Sequence, residues 1–301
     1  MLEITLAGTG GMMPLKDRFL TGLFVSFKGR SLLIDCGEGM QVALSEWGCR
    51  LSTLDMILIT HIHADHIAGL PGLLLSAGNG GKTSPVDIYC PKNTSKILTG
   101  LLRICGGLPF DIMLRELPVN NTAEFDFNGL KISSMPLDHG ISCLGYSITE
   151  NRLPVFDPQK ADALGIPPKA RHILHSGGSY TDENGRVYTQ KDVISGERPP
   201  LKVTYMTDTL YSKKLAAFAE SSDLLVCEGM YGDDEFIGKM TEKRHMVFSQ
   251  AAKTAADSHS KELWLTHYSP AFKDPESYGK YMKSVFENTA ISKDGQKKIL
   301  K

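Results

Sequence analysis

No apolar run in this sequence approaches the ~20 consecutive residues that a membrane-spanning helix needs, so no membrane association is expected. An excess of one charge is also missing. Lys and Arg number 33 against 34 Asp and Glu, for a net charge of −1. That balance gives no global electrostatic footprint for nucleic acid or an anionic lipid surface, though it leaves room for a local basic patch. None of the six cysteines falls in a CxxC pair, which argues against a zinc knuckle or a dithiol redox motif. Scattered thiols in a chain this size fit reduced core positions of a cytoplasmic protein. The stretch Met1 to Gly11 has no basic segment followed by an apolar one, so no secretory signal is read there.

What is present is a globular composition, 42% hydrophobic and 22% charged, enough for a sizeable core. Short strand-like runs dominate the first half: Leu2 to Leu6, then Leu23 to Phe27 and Ser31 to Asp35 as a hairpin about Lys28-Gly29-Arg30. Gly39 to Trp47 and Ala68 to Ser76 have helical spacing, as do Ser212 to Glu220 and Ser249 to Ser258. Met56 to Thr60 reads as a buried strand, and Val86 to Cys90 as another. Five runs end in residues able to bind metal or move protons. Met56 to Thr60 precedes His61, and Leu130 to Met135 leads to His139. Lys202 to Met206 leads to Asp208, Asp223 to Cys227 to Glu228, and Leu263 to Thr266 to His267. Active groups at strand ends predict an α/β scaffold, and the uneven alternation predicts layered mixed sheets over a doubly wound one.

His61, His63, Asp65 and His66 fall within six residues. Three imidazoles and a carboxylate this dense suit zinc and similar divalent ions. The competing reading of any single histidine is a solvated polar loop, but four donors directly after a buried strand favour metal. His139, Asp208 and His267 each have a bland reading alone, as turn caps. Together with the cluster they make seven donors, enough for two ions sharing one carboxylate.

With these residues in view, the sequence resembles the metallo-β-lactamase superfamily, whose motif is HxHxDH, and more closely its ribonuclease Z family, the tRNA 3′-end endonucleases. The shared pieces are LAGTGG from Leu6, IDCGEGMQ from Ile34, THIHADHIAGLPGLL from Thr60, YMTDT from Tyr205, Glu228, KRHMVFSQAA from Lys243 and LTHYSPAF from Leu265. The resemblance implies an α/β (α+β) fold, an αββα four-layer sandwich over residues 1–301. It implies one zinc held by His61, His63 and His139, a second by Asp65, His66 and His267, and Asp208 bridging them. Manganese is also compatible with such mixed ligation. It further implies a homodimer, a precursor tRNA substrate, and attack on a phosphodiester by a water whose pKa two ions lower toward ~7. Asp65 would orient or deprotonate that water. Glu228 and His245 would assist the leaving oxygen, a role their chemistry permits.

Residues 151–200 differ from the rest. They are rich in Gly and Pro and read as an arm-like insertion in a single domain. The segment carries seven Lys and Arg against six Asp and Glu. Where the family's arm has a Gly-Pro motif, this chain reads Gly165-Ile166-Pro167-Pro168. His245-Met246-Val247 likewise departs from the family's His-Ser-Thr. Two other readings therefore stand beside the first: a hydrolase of small phosphodiesters or sulfate esters on the same fold, and a non-catalytic RNA-binding protein with a structural metal.

Overall fold

The computed structural model describes residues 1–301. Two compact units form, one from Met1–Thr149 with Lys202–Lys301 and one from Glu150–Leu201.

The larger unit contains two seven-stranded sheets. The first uses β1 (Leu2–Gly8), β2 (Gly22–Phe27), β3 (Arg30–Ile34), β4 (Leu54–Leu58), β5 (Val86–Pro91), β6 (Ile112–Leu117) and the last strand, β18 (Gln296–Leu300). Their order is β18-β1-β2-β3-β4-β5-β6. The β1, β2 and β3 pairings are antiparallel, and those from β3 to β6 are parallel. The β2–β3 hairpin turns on Lys28 and Gly29, both at positive φ (47° and 76°), as a two-residue turn matched to strand twist requires. The second sheet uses β7 (Ala123–Phe127), β8 (Leu130–Asp138), β9 (Ser142–Glu150), β14 (Leu201–Met206), β15 (Leu224–Glu228), β16 (Leu263–Thr266) and β17 (Thr289–Ile291). Its order is β17-β16-β15-β14-β9-β8-β7. Strands β7 to β9 pair antiparallel, and β14 to β17 parallel.

Both faces of the central strands are buried. Leu33 and Ile57 join a core with Leu70, Leu73, Leu74 and Ala77 of the helix Leu70–Asn79. Those helical positions recur at i, i+3, i+4 and i+7, the spacing of one apolar stripe. The alternate strand residues Leu32, Ile34, Met56 and Leu58 are equally buried and face the opposite side, because side chains alternate along a strand. The second sheet repeats this. Leu225, Cys227, Leu263 and Leu265 pack with Phe248, Ala251, Ala252 and Ala255 of the helix Phe248–Asp257, while Val226 and Trp264 are buried on the other face. The result is two mixed sheets flanked by helices, as the sequence predicts. Four strands that the hydrophobic pattern misses, β6, β7, β17 and β18, are the four sheet edges. Edge strands are half exposed and carry polar alternation, so their signal is weak.

The smaller unit has its own apolar cluster of Ala161, Ile166, Ala170, Leu174, Tyr188 and Val193. Two short ribbons, β10 (Val155–Phe156) with β13 (Ile194–Gly196) and β11 (Tyr180–Thr181) with β12 (Val187–Tyr188), accompany the helices Pro158–Ala163 and Pro168–His175. Asp157 caps the first helix by accepting from Lys160 N at 3.1 Å, the usual task of an N-cap carboxylate. No helix in the chain is long and apolar enough to cross a membrane. All six cysteines are free thiols, five of them buried.

Candidate metal centre

Strand ends deliver the donors. Ile59 and Thr60 carry the chain off β4 into His61, and the single-turn helix Ala64–Ile67 then presents Asp65 and His66. His139 follows β8, Asp208 follows β14, Glu228 is the last residue of β15, and His267 follows β16. Asp208 (φ 56°) and His267 (φ 60°) adopt left-handed backbone, as does Asp35 (φ 62°) after β3. Such a conformation is uncommon outside glycine and is concentrated at functional sites.

All seven predicted donors come together. The ring nitrogens of His61, His63 and His139 converge, with His61 Nε2 and His139 Nε2 at 2.9 and 3.2 Å from His63 Nδ1. Asp65 Oδ2 lies 3.5 Å from both His66 Nε2 and His267 Nε2. Between these sets stands Asp208. Its Oδ1 is 3.6 Å from His139 Nε2 and 4.0 Å from His61 Nε2. Its Oδ2 is 3.3 Å from His66 Nε2 and 3.4 Å from His267 Nε2. Each carboxylate oxygen thus faces a different histidine pair.

The donor chemistry fits divalent metal. Imidazole lone pairs at such separations repel unless a proton or cation lies among them. Asp208 Oδ2 is buried with no hydrogen-bond partner, an arrangement costly for an ionised group unless a cation compensates it. Five overlapping triads of side chains could hold an ion, and both predicted triads are among them. His245 also belongs to such groups, with His139 and Asp208 or with Glu228 and His267.

Without ions the cluster's charges compete. Burial, reinforced by the neighbouring His66, pushes the His61 pKa well down. Burial would do the same to His66, but the Asp35 and Asp208 carboxylates raise it well above the usual value. Asp65 is held far below the usual carboxylate range: burial would raise it, but hydrogen bonds from His267 and His66 overcome that.

Sequence reasoning assigned no role to Asp35. Its carboxylate is fully buried and holds His66 Nδ1 at 2.8 Å, while Thr60 donates to it from N (2.8 Å) and Oγ1 (3.0 Å). An outer carboxylate of this kind fixes ring orientation and ligand basicity. The signal was available as a strand-end Asp in the Ile34 to Gln41 motif. Met12 was missed too: its N–H donates to Asp65 Oδ2 at 2.7 Å. The glycines of the two motifs also have a physical cause. A Cβ on Gly37 would lie 2.1 Å from Asp65 O, and one on Gly69 would lie 1.9 Å from Gly37 O. Cys36 N donates to His66 O and Gly69 N to Cys36 O at 2.7 and 2.9 Å, so the motifs form one tightly packed backbone junction.

Glu228 and His245 complete the site. Glu228 is fully buried, not a surface turn residue. Thr209 N donates to its Oε1 at 2.5 Å, and His245 Nδ1 lies 2.8 Å from its Oε2. Arg244, in left-handed backbone (φ 59°), pairs with Asp138 through its guanidinium and accepts from His139 Nδ1 at 3.2 Å through its carbonyl. Arg244 thus orients the ring of His139, and Glu228 that of His245.

A ribonuclease Z of Clostridium acetobutylicum is 43% identical over 305 residues, spanning 100% of this chain and 98% of the relative. The short form of human tRNase Z has a similar fold, with a TM-score of 0.70 at 21% identity over 99% of this chain and 98% of that one. So does the metallo-β-lactamase fold protein YhfI of Bacillus subtilis, with a TM-score of 0.71 at 20% identity over 98% of each chain. A family described as anti-Pycsar protein Apyc1 matches residues 2–156. On sequence identity along its whole length, the chain belongs to the ribonuclease Z family within the metallo-β-lactamase fold, and over residues 2–156 it also belongs to the family of Apyc1.

Proposed function

We propose that this protein is a metal-dependent endoribonuclease that removes 3′ trailers from precursor tRNA. The observation that carries the reading is Asp208, whose two oxygens face two separate histidine pairs beside the Glu228–His245 pair. His61, His63 and His139 would hold one ion, Asp65, His66 and His267 the other, and Asp208 both. Zinc suits this histidine-rich set, and manganese is tolerated by its mixed ligation. Ions held there supply Lewis acidity toward a water and a phosphoryl oxygen.

The side chains divide the remaining work. Asp65, fixed through Oδ2 by Met12 N–H, orients the attacking water with its other oxygen and takes its proton. The water oxygen bonds to phosphorus as the bond to the leaving ribose oxygen breaks. His245, held through Nδ1 by the Glu228 carboxylate at 2.8 Å, gives a proton to that departing oxygen. Glu228 is fully buried, while His245 lines the cavity.

We further propose a homodimer acting in the cytoplasm, with the insertion of residues 151–200 serving tRNA docking. Incubating metal-replete protein with a precursor tRNA and mapping the new ends tests the central reading. Release of the trailer next to the acceptor stem supports it. The near-neutral insertion, seven cations against six anions in residues 151–200, favours one competing reading, hydrolysis of small phosphodiesters. Turnover of bis(p-nitrophenyl) phosphate with no RNA cleavage would establish that reading instead. Deleting residues 167–195 should abolish tRNA cleavage and spare small diesters; equal loss on both would refute the docking role. Sedimentation equilibrium tests the dimer.

A further inference from the structure

The cavity of about 530 Å³ in front of the metal cluster has a second wall whose side chains the chemistry above leaves unused. Met12, Met230, Tyr231, Lys239, Met240 and Lys243 line it. Lys239 and Lys243 stand four residues apart on the helix Ile237–Lys243, so they share one face. Both are exposed, and no carboxylate forms an ion pair with either. The Lys239 ammonium lies 5.3 Å from the centre of the Tyr231 ring and 5.7 Å from that of Phe236. Those rings stack on each other at 4.5 Å and 21°. Ser269 Oγ donates to the Tyr231 hydroxyl at 2.9 Å, which fixes the ring. Met12, 59% exposed, brings a thioether to the same space.

Two features point to the ligand. The carboxylates of Asp65, Asp208 and Glu228 are engaged by histidines. The unpaired ammoniums of Lys239 and Lys243 are therefore positive charge beyond what the cluster balances. They suit a second phosphate, separate from the one under attack. A fixed aromatic ring and a polarisable thioether beside them suit the flat apolar face of a base. Lys243 is two residues before His245 in the chain, which places the wall on the side of the proton donor.

We propose that this wall binds the nucleotide carrying the leaving oxygen, its base against Tyr231 and Met12 and its second phosphate against Lys239 and Lys243. This rests on the reading of His245 as proton donor to that oxygen. Titrating a nucleoside 3′,5′-bisphosphate into metal-replete protein by calorimetry tests it without turnover. The Lys239→Ala/Lys243→Ala protein should bind about tenfold more weakly than wild type or worse, since charge-assisted contacts are lost. The Lys239→Arg/Lys243→Arg protein should retain most of the affinity. Equal Kd values in the wild-type and alanine proteins, or no binding to wild type, would overturn the proposal. Circular dichroism of the exposed-site variants confirms folding. The precursor tRNA assay is read separately: cleavage with unchanged Kd values refutes only the wall, and no cleavage with the expected Kd shift refutes only the tRNA substrate.

Discussion

His245 Nδ1 lies 2.8 Å from Glu228 Oε2, and that carboxylate is fully buried with Thr209 N–H on its other oxygen. The pair joins β15 to the segment that enters the helix Phe248–Asp257. It therefore couples the position of the His245 ring to the core of the second sheet.

This pairing has a pH signature in the metal-free protein. Burial would lower the His245 pKa, but the Glu228 carboxylate, helped by Asp208 and Asp65, outweighs burial and raises it to about 9. The unfolded value is near ~6.5. With the folded pKa above the unfolded one, the stabilisation is complete below about pH 6.5 and is lost as pH rises through about 9. Nuclear magnetic resonance titration of His245 in chelator-treated protein should give a midpoint near that value. Glu228→Gln should bring the midpoint to about 6.5 or below. A midpoint unmoved by the substitution would refute the pairing.

Asp208 is expected to decide metal stoichiometry. Wild-type protein should carry two divalent ions per chain by elemental analysis. Asp208→Ala removes both oxygens from between the histidine pairs and should leave one ion or fewer. Two tightly held ions in the variant would exclude a bridging role.

Asp35 should act on metal affinity through His66. Asp35→Asn keeps the size of the side chain and removes the charge that holds His66 Nδ1. Competition with a chelator should show about 10–100-fold weaker binding, the usual effect of losing an outer carboxylate. Unchanged affinity would mean that Thr60, which lies 3.4 Å from the same ring nitrogen, suffices.

Gly37→Ala should destabilise the chain by roughly 1–3 kcal/mol, the range for overpacking. The added methyl would meet Asp65 O at 2.1 Å, and the backbone that must yield carries a predicted metal ligand. Urea unfolding in chelator measures the loss. Gly100→Ala, in open space on the helix Ser95–Leu102, should instead be neutral or stabilising, because alanine favours helix. Equal effects at the two positions would remove close approach as the explanation.

Much of the centre was legible in the chain because its signals are local. The run Met56 to Thr60 followed by His61, His63, Asp65 and His66 needs only strand periodicity and short ligand spacing. The same holds for the strand-end positions of His139, Asp208 and His267. The strands β6, β7, β17 and β18 were not legible, because an edge strand buries one face at most and shows little apolar continuity. Strand β9, a central one, was missed for another reason: Ser142, Gly145 and Ser147 interrupt its pattern.

The sequence by itself determined which residues can ligate, that they follow strands, and which family the chain resembles. Only the tertiary structure decided that Asp208 faces two histidine pairs with different oxygens, that Asp35 holds His66, and that Gly37 packs against the Asp65 carbonyl and Gly69 against that of Gly37. The reason is separation along the chain. Asp208 and His66 are brought within 3.3 Å by the ends of interior strands in two different sheets, and no local pattern encodes which atoms meet there. The same limit applies to Lys239 and Lys243, which no sequence pattern singled out and which the fold places in a wall of the metal cavity.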